Sequence, residues 1–260
     1  MLTENLAPSR EKLLEKVSRK IKSIQQCKEE KYVSENSFLF FGCAGNGKTY
    51  FTNKLIDNVQ IQSIVIESWS LDNEAICKYI EKSQEFNDIN LILIFRDIDA
   101  LFIRDEKSET KHHFIQLMKS KSMNKIIIIA ETNRLSSLDS KLCELFKNRI
   151  YFNFPSENDR LMLLKHSFPN NYLDMIIHKT HRFSFSDLVT LLREINIQPI
   201  RRMLQNNNGN IDNIDESIKI VPDENDITIS LQNFKSSFPE EEKLKYDEIA
   251  IKYTFEILHE

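Results

Sequence analysis

Gly42-Cys43-Ala44-Gly45-Asn46-Gly47-Lys48-Thr49 satisfies every fixed position of G-x-x-x-x-G-K-[ST] and holds three of the four glycines in a 260-residue chain. Glycines at these places let backbone N–H groups turn inward around a phosphate, and a helix opening directly after them adds its positive N-terminus. Lys48 then reaches the β- and γ-phosphates, and the Thr49 hydroxyl ligates Mg²⁺. The stretch predicts ATP held by Gly42, Cys43, Ala44, Gly45, Asn46, Gly47, Lys48, Thr49 and Tyr50, with Thr49 as the magnesium ligand. Cys43, surrounded by N–H groups, is expected to have a lowered thiol pKa and a redox role, or else simply to fill a small space.

The flanks agree with a phosphate loop. Ser37–Phe41 is a short apolar run ending at glycine, hence a strand, and a helix is expected from Gly47 to about Asp57. Ile64–Glu67, Leu91–Phe95, Lys125–Ala130 and Ile150–Phe154 are further buried-strand candidates, with helices near Asn73–Lys82 and Glu109–Lys119 between them. Strands alternating with helices imply a parallel sheet covered on both faces. Beyond Pro155 the strand signals stop. Asp159–Ser167, Leu173–His178, Ser186–Glu194 and Pro199–Leu204 read as helices, Gln205–Ile214 as a polar loop, and Ile229–Glu260 as helical again. The expected fold is α/β, a P-loop NTPase parallel sheet core covered by helices, plus a C-terminal helical lid. Its expected divisions are an N-terminal helix at 1–30, the nucleotide-binding core at 31–155 and the lid with C-terminal helices at 156–260.

Composition bounds the rest. Net charge is −4 with 28% charged and 41% hydrophobic residues, an ordinary globular balance without the basic excess of a nucleic-acid binder. No apolar run approaches bilayer length, and no basic region followed by an apolar stretch opens the chain. The four cysteines, Cys27, Cys43, Cys77 and Cys143, show no CxxC spacing, and a cytoplasmic location is expected. Residues 9–30 read as a basic amphipathic helix with Leu14, Val17, Ile21 and Ile24 on one face. It either packs beside the core or lies on a membrane surface. His112-His113 and the scattered serines, histidines and aspartates have no nucleophile or metal spacing.

Leu91-Ile92-Leu93-Ile94-Phe95-Arg96-Asp97-Ile98-Asp99-Ala100-Leu101 is a buried strand ending in acids, the place where P-loop enzymes keep carboxylates for magnesium and for the attacking water. It resembles the Walker B segment of AAA ATPases. The resemblance sets Asp97 at the water-activating glutamate and Arg96 at the metal-side aspartate. Lys125-Ile-Ile-Ile-Ile-Ala130-Glu-Thr-Asn133 resembles the family's sensor 1, apolar-A-T-N, which makes Asn133 the group that orients the lytic water; by itself an Asn after a strand is also a turn residue. Lys141–Pro155 resembles A-I-R-R-R-F-x-K-R-I-Y-I-P-L-P, with Cys143, Glu144 and Leu145 where the arginine fingers stand and Arg149 just beyond them. Phe183-Ser184-Phe185-Ser186-Asp187-Leu188 and Gln198-Pro199-Ile200-Arg201 are similar to the branch containing the ESCRT-dismantling vacuolar sorting ATPase, spastin, katanin and fidgetin. Phe185 there replaces a glycine that lies near the adenine.

The resemblance implies a homo- or hetero-oligomeric ring that binds ATP and remodels a protein assembly of ESCRT or microtubule type. Trp69, the only tryptophan, would be its pore-loop aromatic gripping a polypeptide, or else a core residue. No nucleic acid and no transmembrane segment are implied. Two functions compete. One is an active ATPase using Asp97 and Asn133. The other is a nucleotide-binding pseudo-ATPase serving as a structural or regulatory subunit, favoured by Arg96, by Cys143-Glu144-Leu145 and by Phe185.

Overall fold

The computed structural model describes residues 6–26, 36–68, 78, 81, 91–101, 109–119, 126–165, 167, 168, 170–206 and 221–253. Trp69, the expected helix Asn73–Lys82 apart from residues 78 and 81, and most of the loop Gln205–Ile214 lie outside them. Among the described residues five strands form one parallel sheet: β1 (Ser37–Phe41), β2 (Gln62–Glu67), β3 (Leu91–Arg96), β4 (Ile126–Thr132) and β5 (Asn148–Tyr151). Their order is β2-β3-β4-β1-β5.

The central strands β1, β3 and β4 are near-continuous apolar runs because both of their faces are covered. In register, Leu39 pairs with Ala130 and Phe40 with Glu131, while Leu93 pairs with Ile128 and Phe95 with Ala130. The edge strand β2 is mostly exposed or partly covered, with Ile66 buried. β5 begins two residues earlier than its apolar run suggests, because Asn148 and Arg149 pair with Phe38 and Leu39 of β1 through the backbone whatever their polarity. The Asn148 side chain also donates to the Ser37 carbonyl at 2.9 Å.

Helices follow the strands. α1 (Pro8–Gln26) precedes β1, α2 (Lys48–Val59) leaves it, α3 (Glu109–Met118) precedes β4, and the short α4 (Ser140–Cys143) leads to β5. α1 buries Leu13, Val17 and Ile21, a spacing of four, so its inner face is set one position from the expected Leu14 and Ile24. Arg10 fixes this rotation: its guanidinium lies 4.6 Å from the Phe152 ring centre and donates to the Asn153 carbonyl at 2.8 Å. Phe152, Phe40 and Phe51 form an aromatic cluster with centroids 5.2–5.6 Å apart, which ties β1, α2 and the exit of β5 together.

Two compact units emerge. One is Ser9–Asn153 together with the last helix, α9 (Glu240–Tyr253). The other runs from Phe154 to Pro239 and contains α5 (Glu157–Lys165), α6 (Asn170–Lys179), α7 (Phe185–Asn206) and α8 (Glu224–Asn233). The sequence division places the closing helices wholly with the lid and α1 in a segment of its own, whereas α1 and α9 both cluster with the sheet. The tie of α9 is long-range. Tyr151 donates to Asp247 at 3.1 Å, and Ala250 is buried in the sheet's core cluster.

The helical unit has its own core of Leu164, Ile176, Leu188, Leu191, Leu192, Ile195 and Ile227. Reciprocal caps start α5, α7 and α8. Ser156 pairs with Asp159, Ser184 with Asp187 and Asp223 with Asp226, each side chain accepting the other's backbone N–H. The two helices expected at Ser186–Glu194 and Pro199–Leu204 are one, α7, with Pro199 inside it. Glu194 bridges the break by accepting from Gln198 at 3.0 Å and pairing with Arg201, which holds the turns together where proline removes a donor.

Candidate functional site

The loop from Gly42 to Gly47 joins β1 to α2, and its backbone explains its composition. Gly42 has φ 143°, and a Cβ there would meet the Phe152 carbonyl oxygen at 2.4 Å. Gly47, the residue before α2, has φ 81° in the left-handed region. The Asn46 side chain is fully buried and donates to that same Phe152 oxygen at 3.1 Å, so it anchors the loop to the exit of β5. Gly47 supplies no side-chain cap for α2, and Phe51 N–H donates to the Gly47 carbonyl at 2.9 Å as the first helical bond. The N–H groups of Lys48, Thr49 and Tyr50 therefore lie ahead of the helical ladder, an arrangement that fits a phosphate.

Lys48 is almost fully buried, and its ammonium donates to the carbonyls of Gly42 and Cys43 at 2.8 and 2.9 Å. Burial pulls its pKa down to about 8, opposed by the nearby charges of Glu131 and Asp97. Burial likewise pushes the Cys43 thiol up to about 12, in spite of Lys48 beside it. The expected lowering of that thiol is thus reversed: desolvation of a fully covered sulfur outweighs the neighbouring cation. Ala44 and Gly45 are exposed, and Tyr50 is half-buried with the Lys54 ammonium 5.8 Å from its ring centre.

The structure brings Asp97 and Asn133 together. Asn133 Nδ2 donates to Asp97 Oδ1 at 3.1 Å. β3 ends at Arg96, and Asp97 follows in a turn with φ 50°, a conformation that redirects its carboxylate out of the strand's alternation. Burial and then the charge of Asp99 raise the Asp97 pKa. Asp99 itself is held by a 2.7 Å hydrogen bond from Thr132, and the Asn133 carbonyl accepts from Tyr246 of α9 at 2.7 Å. Asp97 and Lys48 feel one another's charge, so Asp97 stands within electrostatic reach of the loop.

Arg96 does not face the loop. It pairs with Glu67 on β2 at 2.7 Å and donates to Asn53 on α2 at 3.0 Å. Cys143 and Leu145 are buried, and Glu144 is exposed. Arg149 donates to the Phe146 and Cys143 carbonyls at 2.9 and 2.8 Å, which commits its guanidinium within the chain. Phe185 is the first residue of α7 in the helical unit.

Sequence reading missed one residue. Thr49 Oγ1 donates to Glu131 Oε2 at 2.6 Å. Glu131 is 3% exposed, on a strand otherwise made of isoleucine, alanine and threonine. A carboxylate interrupting a buried strand was the available signal.

The model of the ATPase family associated with various cellular activities (AAA) matches residues 38–154. Spastin of Ixodes scapularis is 25% identical over 226 residues, which is 76% of this chain and 32% of that protein. A probable spastin homolog of Brugia malayi is 29% identical over 189 residues, covering 63% of this chain and 41% of that protein. The chain spans about a third of the length of the curated relatives it matches. The crystal structure of the FIGL-1 AAA domain in complex with ADP superposes with a TM-score of 0.75 at 19% identity, covering 93% of this chain and 88% of that one. Among the described residues no helix is long and apolar enough to cross a membrane.

Proposed function

We propose that this chain, whose residues 38–154 match the AAA family model and which is similar to spastin, binds ATP with Mg²⁺ and hydrolyses it as a subunit of a ring that remodels a protein assembly. The observation that carries hydrolysis is the Asp97–Asn133 pair, held 3.1 Å apart beside an uncapped, lysine-bearing phosphate loop. Lys48 leaves the Gly42 and Cys43 carbonyls for the β- and γ-phosphates, and the first N–H groups of α2 bind the same oxygens. Asn133 orients a water, and Asp97 accepts its proton; the raised pKa of Asp97 makes it a better base than an ordinary aspartate. Magnesium, held with the phosphates on the Thr49 side, supplies neutralisation of the charge that develops there. A polypeptide grip at Trp69 and the ring itself belong to this proposal and rest on the family likeness.

A second reading has its own support. Arg96 stands where a metal-side acid is expected, and Cys143, Glu144 and Leu145 offer no finger, which favours a pseudo-ATPase that binds nucleotide as a structural or regulatory subunit. Steady-state ATP turnover over a series of protein concentrations, with Lys48→Ala as blank, separates the two. Turnover above the blank that climbs more than linearly with concentration supports a self-assembling ATPase. Asp97→Asn should then lower turnover by about 10²-fold or more. Turnover at the blank level with ATP bound supports the pseudo-ATPase.

A further inference from the structure

At the C-terminal end of β3 the sheet presents three long polar side chains side by side. Glu67 of β2 is in register with Arg96 of β3. On β4, Phe95 pairs with Ala130, so Glu131 lies one residue further on, level with Arg96. In a parallel sheet, residues at one level point to the same face. α2 covers that face here: Thr49 meets Glu131, and Asn53, one helical turn on, meets Arg96. Arg96 thus stands between two glutamates, and it forms its ion pair with Glu67. Glu131 is turned to the hydroxyl of the phosphate loop.

Three observations give Glu131 a ligand to hold. Its Oε2 accepts from the Thr49 hydroxyl, the group that shares magnesium with a carboxylate in P-loop enzymes. Its Oε1 is fully buried and has no hydrogen-bond partner, an arrangement that costs free energy unless a cation or an ordered water completes it. Lys48 is close enough to feel the charge of Glu131, yet its ammonium is held by the Gly42 and Cys43 carbonyls. The residue type is a second departure that matches the first. In the sensor 1 pattern A-T-N the place of Glu131 belongs to alanine, so against the pattern that the chain resembles an acid is missing at position 96 and one stands at the same level of the adjacent strand.

We propose that Glu131 is the transposed metal-side carboxylate of this site: together with Thr49 it binds the magnesium ion that accompanies ATP, in place of the acid that Arg96 has displaced. The inference rests on the nucleotide-binding reading above and deepens it. Magnesium suits this donor set, because it takes one or two carboxylates, keeps several waters and completes its shell with nucleotide phosphates. Among the described residues no cluster of three or more His, Cys, Asp or Glu side chains could hold a metal unaided, so the ion arrives with the nucleotide. Arg96 serves the arrangement by staying with Glu67 and Asn53.

The test is equilibrium binding of a fluorescent non-hydrolysable ATP analogue to the full chain, in Mg²⁺ and in EDTA, for the wild type and Glu131→Gln. The wild type should bind more tightly in Mg²⁺. Glu131→Gln should lose roughly 10–100-fold in Mg²⁺, while its affinity in EDTA stays the same or improves, because a negative charge near the phosphates has been removed. Equal weakening in both buffers would make Glu131 merely structural and overturn the proposal. So would a wild type indifferent to Mg²⁺, or a variant that keeps the full magnesium gain; both leave nucleotide binding intact. No analogue bound by the wild type in either buffer would instead remove the nucleotide reading, and this inference with it.

Discussion

At the scale of single residues, the loop separates two kinds of glycine requirement. Gly47 has open space around the place of a Cβ and needs glycine for its φ alone, whereas Gly42 has the Phe152 carbonyl 2.4 Å from that place. Gly47→Ala should therefore cost about 1–2 kcal/mol. Gly42→Ala should cost more than that, because backbone must move, and it should also displace the Asn46 anchor on the same carbonyl. Urea unfolding of the two variants checks the order, and equal losses would mean that the contact with Phe152 relaxes freely.

Lys48 gives a pH prediction. Its pKa of about 8 in the folded apo chain lies below the ordinary lysine value of 10.5. Between those pH values the unfolded chain holds the proton that the folded chain has released, so apo stability contributed by this group rises with pH across the window and is lowest below pH 8. Phosphate binding needs the ammonium and moves the opposite way. Nucleotide affinity should fall about tenfold between pH 7 and pH 9, measured by fluorescence titration. A flat profile would mean that the Lys48 ammonium keeps its proton up to pH 9 and that burial does not lower its pKa this far.

At the scale of elements, α9 acts on the site through one hydroxyl. Tyr246 donates to the Asn133 carbonyl, and burial pushes its own pKa up to about 12, so it stays protonated as the donor across physiological pH. Tyr246→Phe should cost about 1 kcal/mol in urea unfolding and lower turnover without weakening ATP binding, since Asn133 and not the loop loses its support. A matching loss of ATP affinity would show that α9 buttresses the loop itself. Elements also mark where sequence reading succeeded and failed. The buried runs of β1, β3 and β4 were visible because continuous apolar β-branched and aromatic stretches have few alternatives. β5 was displaced because edge pairing is decided by backbone bonds to β1, which carry no composition signal. α7 read as two helices because Pro199 breaks helices locally; the Glu194 bridge that rescues it spans seven residues.

For the whole molecule, the phosphate loop, α9 and the strand-end acids belong to one compact unit, so nucleotide binding should stabilise that unit by mass action. ATP at a hundredfold excess over Kd should add about 2.7 kcal/mol, seen as a rise in the thermal midpoint that Lys48→Ala abolishes. A shift that survives Lys48→Ala would point to nucleotide bound elsewhere. Amino-acid order alone is enough to find the glycine loop Gly42–Gly47, the alternation that makes a parallel sheet, the switch to helices after Pro155, and Asp97 and Asn133 as candidates. Those depend on local spacing: glycine backbone freedom, apolar periodicity and motif order. Folding had to bring Asp97 to Asn133, bury Cys43 rather than activate it, turn Arg96 to Glu67 and set Glu131 on the Thr49 hydroxyl. Each of these depends on which strand lies beside which and on how far water is excluded, and chains separated by tens of residues set both only after the sheet has closed.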